Sequence, residues 1–150
     1  MLELETPADL KNYLGKELGV SDWVVVDQER INKFADATGD HQWIHVDVER
    51  AKRELPTKNT IAHGYLTLSL LAGLPTYGIK KKSRGINYGS NKVRFTNMVP
   101  AGSRVRLRSN LKSVEETKDG GFRLTVENVM EIEGQERPAL VAETMSIVYP

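Results

Sequence analysis

The 150-residue chain contains no cysteine. A disulfide framework, a thiol nucleophile and a cysteine-ligated zinc site are therefore excluded. An excess of one charge is also missing, since 21 basic and 20 acidic residues leave a formal net charge of +1. A protein built for generic nucleic-acid binding would carry a basic surplus. There is no long hydrophobic run. The longest apolar stretch, Tyr65 to Leu74, falls short of the ~20 residues that a membrane helix needs. The acidic opening Met1 to Asp9 lacks the basic-then-apolar order of a signal peptide. Internal repeats, low-complexity tracts and linkers are absent too. One domain over residues 1–150 is the simplest expectation for this length. A cytoplasmic protein without a membrane or nucleic-acid partner is expected.

What is present falls into two halves. Thr6-Pro7 suits the start of a short helix ending near Gly15. Trp23 to Val26 is a short β-rich run. Asp27 reads as an N-cap, and Ile31, Phe34, Ala35 and Thr38 give the stripe of a half-buried helix, with Gly39 as its stop. Asp47 to Leu55 reads as a further short helix closed before Pro56. Ile61 to Leu74 is apolar on every side of a helical wheel, which predicts a buried central helix. The period then changes to two. Phe122, Leu124, Val126, Asn128, Met130 and Ile132 alternate with mostly polar neighbours, as do Val105, Leu107, Ser109 and Leu111. Asp119-Gly120-Gly121 is a hairpin signal between those runs. Arg84 to Phe95 and Pro138 to Val148 complete about four long strands. Helices first and antiparallel strands after predict an α+β fold in which a curved sheet wraps one long helix.

The chemistry-bearing segment is Gly39-Asp40-His41-Gln42-Trp43-Ile44-His45. It holds a carboxylate and an imidazole five residues apart, just past a helix end. That is not a same-face helical spacing, so the two converge only through a turn. Such a pair can move protons at neutral pH. The plain alternatives stay open: Asp40 as a turn cap, His45 as a core histidine. A second segment, Ile61-Ala62-His63-Gly64-Tyr65, opens the apolar run. A helix starting at Gly64 leaves unpaired amides at its positive end, and glycine allows a close approach to them. His63 reads either as a structural residue before that helix or as a substrate contact. The three histidines and neighbouring carboxylates match no common metal-ligand spacing.

Three stretches together resemble the MaoC-like (R)-specific enoyl-CoA hydratases, particularly their NodN-like single-domain members. They are Phe34 to Asp47, Ala62-His63-Gly64, and Asn87 to Phe95. The first departs from the usual form, carrying Gln42-Trp43 where many members have Asn-Pro. The resemblance implies a hot-dog fold and a homodimer with a sheet continuous across the pair. It implies that Asp40 and His45 grip one water and that the Gly64 amide receives the thioester oxygen, with no cofactor beyond the coenzyme A of the substrate. Trp43 and Tyr65 are candidates for the mouth of an acyl tunnel. Ser69 is the nearest polar residue further along the helix. Lys92 and Arg94 share one strand face, and Asn91, Val93 and Phe95 the other. Asn91, Lys92 and Arg94 are candidate substrate contacts, and Lys80, Lys81, Lys82 and Arg84 are either a solvated loop or an attractor for substrate phosphates. The expected partner is an acyl-CoA or an acyl-carrier protein. Three other activities fit the same residues: a 3-hydroxyacyl-carrier-protein dehydratase, a hot-dog thioesterase and a non-catalytic acyl-CoA binding subunit.

Overall fold

Period-two patterning becomes strand wherever it is sustained. The protein is described by a computed structural model covering all 150 residues. In chain order the first half contains β1 (Leu2–Leu4), a 3-10 segment (Pro7–Tyr13), β2 (Glu17–Val20), β3 (Val24–Val26), α1 (Gln28–Thr38), α2 (Trp43–Val46), α3 (Val48–Glu54) and α4 (Gly64–Ser69). A second 3-10 segment (Leu70–Gly73) leads to β4 (Tyr77–Ile79), β5 (Arg84–Phe95), β6 (Ser103–Glu116), β7 (Phe122–Ile132) and β8 (Leu140–Tyr149). The main sheet runs β2-β6-β7-β8-β5, with β3 also paired to β6, and every pairing in it is antiparallel. β5 therefore forms one edge. A separate parallel pair joins β1 to β4, with Leu2 opposite Tyr77.

The inner face of the sheet carries two apolar clusters. Val26, Ile31, Leu66, Val105, Leu107, Met130 and Leu140 join α1 and α4 to one end. Leu4, Leu10, Leu18, Ile79, Leu111, Leu124 and Val148 fill the other. Fully burying one such side chain stabilises by ~1.5–3 kcal/mol. Asn128 lies between the clusters on β7. Its Oδ1 accepts from Ser109 and its Nδ2 donates to Thr144, both at 2.9 Å.

The long central helix expected over Ile61 to Leu74 is much shorter. Ile61 forms a bridge with Pro100, and the Ala62 amide donates to Val99 at 2.8 Å. These bonds hold the chain extended until Gly64. At the far end the helix tightens to 3-10 geometry, and Pro75 disfavours helix at Leu74. Burial on all sides is not met either. Leu66 and Leu74 are buried, but Tyr65 is 70% exposed. β5 also departs from simple alternation. Its pairing with β8 shifts between Asn87 and Gly89 and again between Ser90 and Lys92, so Asn91 is a bulge residue. The Asn91 amide consequently donates to Glu143 at 2.9 Å. Glu143 pairs with Lys92, whereas Val93 pairs with the buried Ala142. Asn91 thus groups with Lys92, not with Val93 and Phe95.

Candidate active site

Gly39 ends α1 in the left-handed region at φ +81°, its amide bonding the Ala35 carbonyl at 2.8 Å. The chain turns sharply there, and Asp40 stands exposed. Asp40 Oδ1 accepts the Gln42 amide at a long 3.3 Å, so it does cap a turn, weakly, and its second oxygen has no protein partner. The single turn of α2 then carries His45 back beneath Asp40. His45 is 6% exposed. Its Nδ1 lies 2.6 Å from the Ile61 carbonyl. A carbonyl only accepts, so Nδ1 bears the proton and Nε2 keeps a lone pair. The His45 backbone is held as well: Gln28 donates to its carbonyl at 2.8 Å, and buried Thr60 donates to Gln28.

His63 closes the arrangement. It is 2% exposed. Its Nε2 donates to the Asp40 backbone carbonyl at 3.0 Å. Its ring stacks on His45 with centroids 3.8 Å apart and planes 22° apart. Asp40, His45 and His63 each offer an atom within 4.8 Å of the others. A water at ~2.8 Å from each of two groups spans such a gap. Burial, chiefly, holds the His45 pKa below the ordinary imidazole value, with the neighbouring His63 adding to it; the Ile61 hydrogen bond and Asp40 oppose the shift. The same three side chains are close enough to hold one ion, with His45 Nδ1 and His63 Nε2 already bonded to backbone carbonyls.

His45 and Gly64 line a cleft of about 620 Å³, walled also by Thr67, Phe95, Asn97, Val99 and Arg137. Gly64 is the first residue of α4, and its amide has no acceptor within the protein. The close approach allowed by glycine is real: a Cβ there would lie 3.0 Å from the Phe95 ring. Asp40 and His63 adjoin His45 and are not among the lining residues.

The other sequence candidates are spread more widely. Trp43 lies under the Arg50 guanidinium, 3.9 Å from it, and does not line the cleft. Tyr65 packs edge-on against Phe95 beside the cleft, with centroids 5.9 Å apart. Asn91, Lys92 and Arg94 are exposed on β5, outside the lining. Ser69 bonds the Tyr65 carbonyl at 2.7 Å and faces a second cavity, whereas Thr67, one turn-fraction earlier, faces the cleft. Lys80 and Lys81 pair with Glu5. His41 is exposed and pairs with Asp36. The cleft residues Thr67, Asn97 and Arg137 were not legible beforehand. Asn97 and Arg137 come from separate loops, joined by Asn97 Nδ2 to the Arg137 carbonyl at 3.2 Å and by the Thr96 amide to the Ala139 carbonyl at 2.9 Å.

Comparison with known proteins adds to this geometry. Residues 9–132 match the MaoC-like domain. The chain is 51% identical over 147 residues to 3-hydroxyacyl-thioester dehydratase Z of Mycobacterium tuberculosis, covering 97% of each chain. It is 46% identical over 144 residues to nodulation protein N of Rhizobium leguminosarum bv. viciae, covering 94% of this chain and 89% of that one. Among solved structures, the (R)-hydratase from A. caviae involved in PHA biosynthesis superimposes with a TM-score of 0.71 at 20% identity, over 89% of this chain and 94% of the other. The α+β architecture is therefore the hot-dog fold, and the chain belongs to the MaoC-like dehydratase family of hydro-lyases.

Proposed function

We propose that this protein adds water reversibly to trans-2-enoyl-CoA, giving (R)-3-hydroxyacyl-CoA. The observation that carries this reading is a buried His45 ring with a nitrogen within 4.8 Å of the Asp40 carboxylate and Nδ1 spent on the Ile61 carbonyl, His45 lining a cleft that also presents the unpaired Gly64 amide. In the reaction, Asp40 and His45 hold one water between them. His45 Nε2 takes a proton from it as the oxygen bonds to C3. The C2=C3 π electrons shift toward the thioester, and the charge on its oxygen is met by the Gly64 N–H. Collapse of that enolate takes the proton back from His45 onto C2. Both hydrogens and the oxygen of the product thus come from a single water on one face. An oxyanion donor of this kind is worth ~3–4 kcal/mol in the transition state.

Nothing in these steps calls for a cofactor other than the coenzyme A of the substrate. The uncovered edge strand β5, with Ile86, Tyr88 and Phe95 about half exposed, supports a homodimer. The absence of any helix long and apolar enough to cross a membrane agrees with a cytoplasmic enzyme. A second reading is the reverse reaction on a carrier-protein thioester. The dehydration direction is favoured by the name of the mycobacterial relative, 3-hydroxyacyl-thioester dehydratase Z, and that name leaves the thiol carrier open.

The test is crotonyl-CoA hydration, followed as loss of enoyl-thioester absorbance, in wild type, Asp40→Asn and His45→Ala. General acid–base groups typically contribute ~10²–10⁴-fold, so both folded variants should fall by that order. Turnover surviving both substitutions would remove the proposed site. Competition between CoA and carrier-protein substrates separates the two readings.

A further inference from the structure

His63 directly precedes Gly64 yet takes no place in the cleft wall. Its side chain is committed to two neighbours from another part of the chain. Nε2 donates to the Asp40 carbonyl at 3.0 Å, and the ring lies flat against His45 at 3.8 Å. The third ring feature, Nδ1, is buried without any hydrogen-bond partner. An unpaired buried nitrogen is costly. A side chain serving packing alone would not carry that nitrogen. The two neighbours are the pair that grip the water in the proposed reaction.

We propose that His63 is the positioning residue of this site, tethering the Asp40 peptide and bracing the His45 ring so that carboxylate and imidazole stay one water apart. The proposal rests on the hydration reading. Each half answers a mechanical need. The remaining bonds of the Asp40 turn are long, 3.4 Å from its amide to Thr38 Oγ1 and 3.3 Å from the Gln42 amide to its carboxylate. The tether from His63 is the shortest of the three. His45 is pinned at one ring atom by Ile61. A single in-plane bond leaves the ring free to tilt about it, and the stacked face of His63 removes that freedom. Stacking also discourages a proton on His45, because two imidazoles this close do not both charge readily. The groups facing His45 are His63 before α4, Asp40 after α1 and the Ile61 carbonyl, while Gln28 from α1 is uncharged.

Two variants divide the roles. His63→Phe keeps a stacking ring and loses the donor. His63→Gln keeps an N–H donor and loses the ring. Each is assayed with crotonyl-CoA, alone and with Asp40→Asn, and His45 is titrated by NMR through its ring protons. Misplacement at this scale costs roughly ten- to hundredfold. That loss is expected in kcat, with KM within about twofold. It should largely vanish in the Asp40→Asn background, where the aligned carboxylate is already gone. In His63→Gln the His45 midpoint, and with it the acid limb of activity, should rise toward the ordinary imidazole value. Unchanged kcat in both variants, or losses that simply multiply with Asp40→Asn, would overturn the proposal. If wild type hydrates no enoyl thioester, the hydration reading has failed, and the NMR titration alone judges His63: an unmoved His45 midpoint in His63→Gln refutes the bracing. Wild type supplies a check that needs no variant to fold. Its ring nitrogens should report the Nε2–H tautomer of His63, and an Nδ1–H tautomer rules out the tether.

Discussion

Gly64→Ala separates catalysis from stability at one methyl group. Gly64 does not have a positive φ, so alanine fits its backbone. Replacing glycine at a compatible position typically gains ~0.4–1 kcal/mol by restricting the unfolded chain. Against this, the new Cβ would lie 3.0, 3.1 and 3.2 Å from three carbons of the Phe95 ring. Comfortable carbon contacts are ~3.5–4.0 Å, so the ring must give by roughly 0.3–1 Å. It can, because Phe95 is 48% exposed at the end of edge strand β5. The two effects offset, and the net change in unfolding free energy should stay within ~1 kcal/mol. Activity should not be spared. The methyl stands beside the amide that receives the thioester oxygen, and losing one such donor costs ~10²–10³ in kcat. Crotonyl-CoA hydration and urea denaturation measured together decide the matter. Undiminished kcat/KM would refute the role of the Gly64 amide. A loss of several kcal/mol in stability would show that the ring does not yield. Adding Phe95→Leu relieves the ring contact alone. Full recovery of activity in that double variant would mean the loss came from packing and not from the oxygen site.

Two further outcomes follow from buried polar groups. Asn128→Ala removes the bridge between Ser109 and Thr144 and leaves the Ser109 hydroxyl, 2% exposed, without its acceptor; the expected destabilisation is ~2–4 kcal/mol, and a midpoint shift in urea corresponding to less than ~0.5 kcal/mol would show the ladder to be dispensable. His45 gives a pH dependence: because burial keeps its folded pKa below the unfolded value near 6.5, the unfolded chain takes up the proton first, so its contribution to stability is full above pH ~6.5 and is lost as pH falls through the folded value. The acid limb of kcat/KM should likewise lie below 6.5, and His45→Gln should abolish that part of the stability slope; a limb at or above 6.5 would contradict a desolvated base.

Legibility of the sequence followed the regularity of the structure. β7 occupies Phe122–Ile132 because strict alternation over so many residues leaves one register that buries the apolar set. α1 was equally clear, since Asp27 and Gly39 are chemical signals at its two ends. The misses share a cause. The β1–β4 pair is parallel and joins residues more than seventy positions apart, which no local pattern records. β2 carries a register shift between Glu17 and Gly19 that breaks its alternation. The bulge at Asn91 moves that residue to the opposite face from the one its position in the strand implies. The central helix was overestimated because apolar composition signals burial but not conformation. Ile61 and Ala62 spend their backbone groups on Pro100 and Val99 instead of a helical ladder.

The candidate site depends on that irregularity. Asp40 sits in a turn, His45 on a single helical turn, and His63 at the end of an extended loop. No helical or strand repeat sets their separation. Their positions come instead from side chains bonded to distant backbone: His45 to Ile61, His63 to Asp40 and Gln28 to His45. Each bond satisfies a carbonyl left free by the irregular chain and at the same time orients a side chain or the loop that carries it. The five-residue separation of Asp40 and His45 could thus signal convergence without specifying what enforces it. The enforcement is a set of polar contacts between segments, each of which can be removed without touching a strand. Alignment of the site should therefore be separable from the stability of the sheet beneath it.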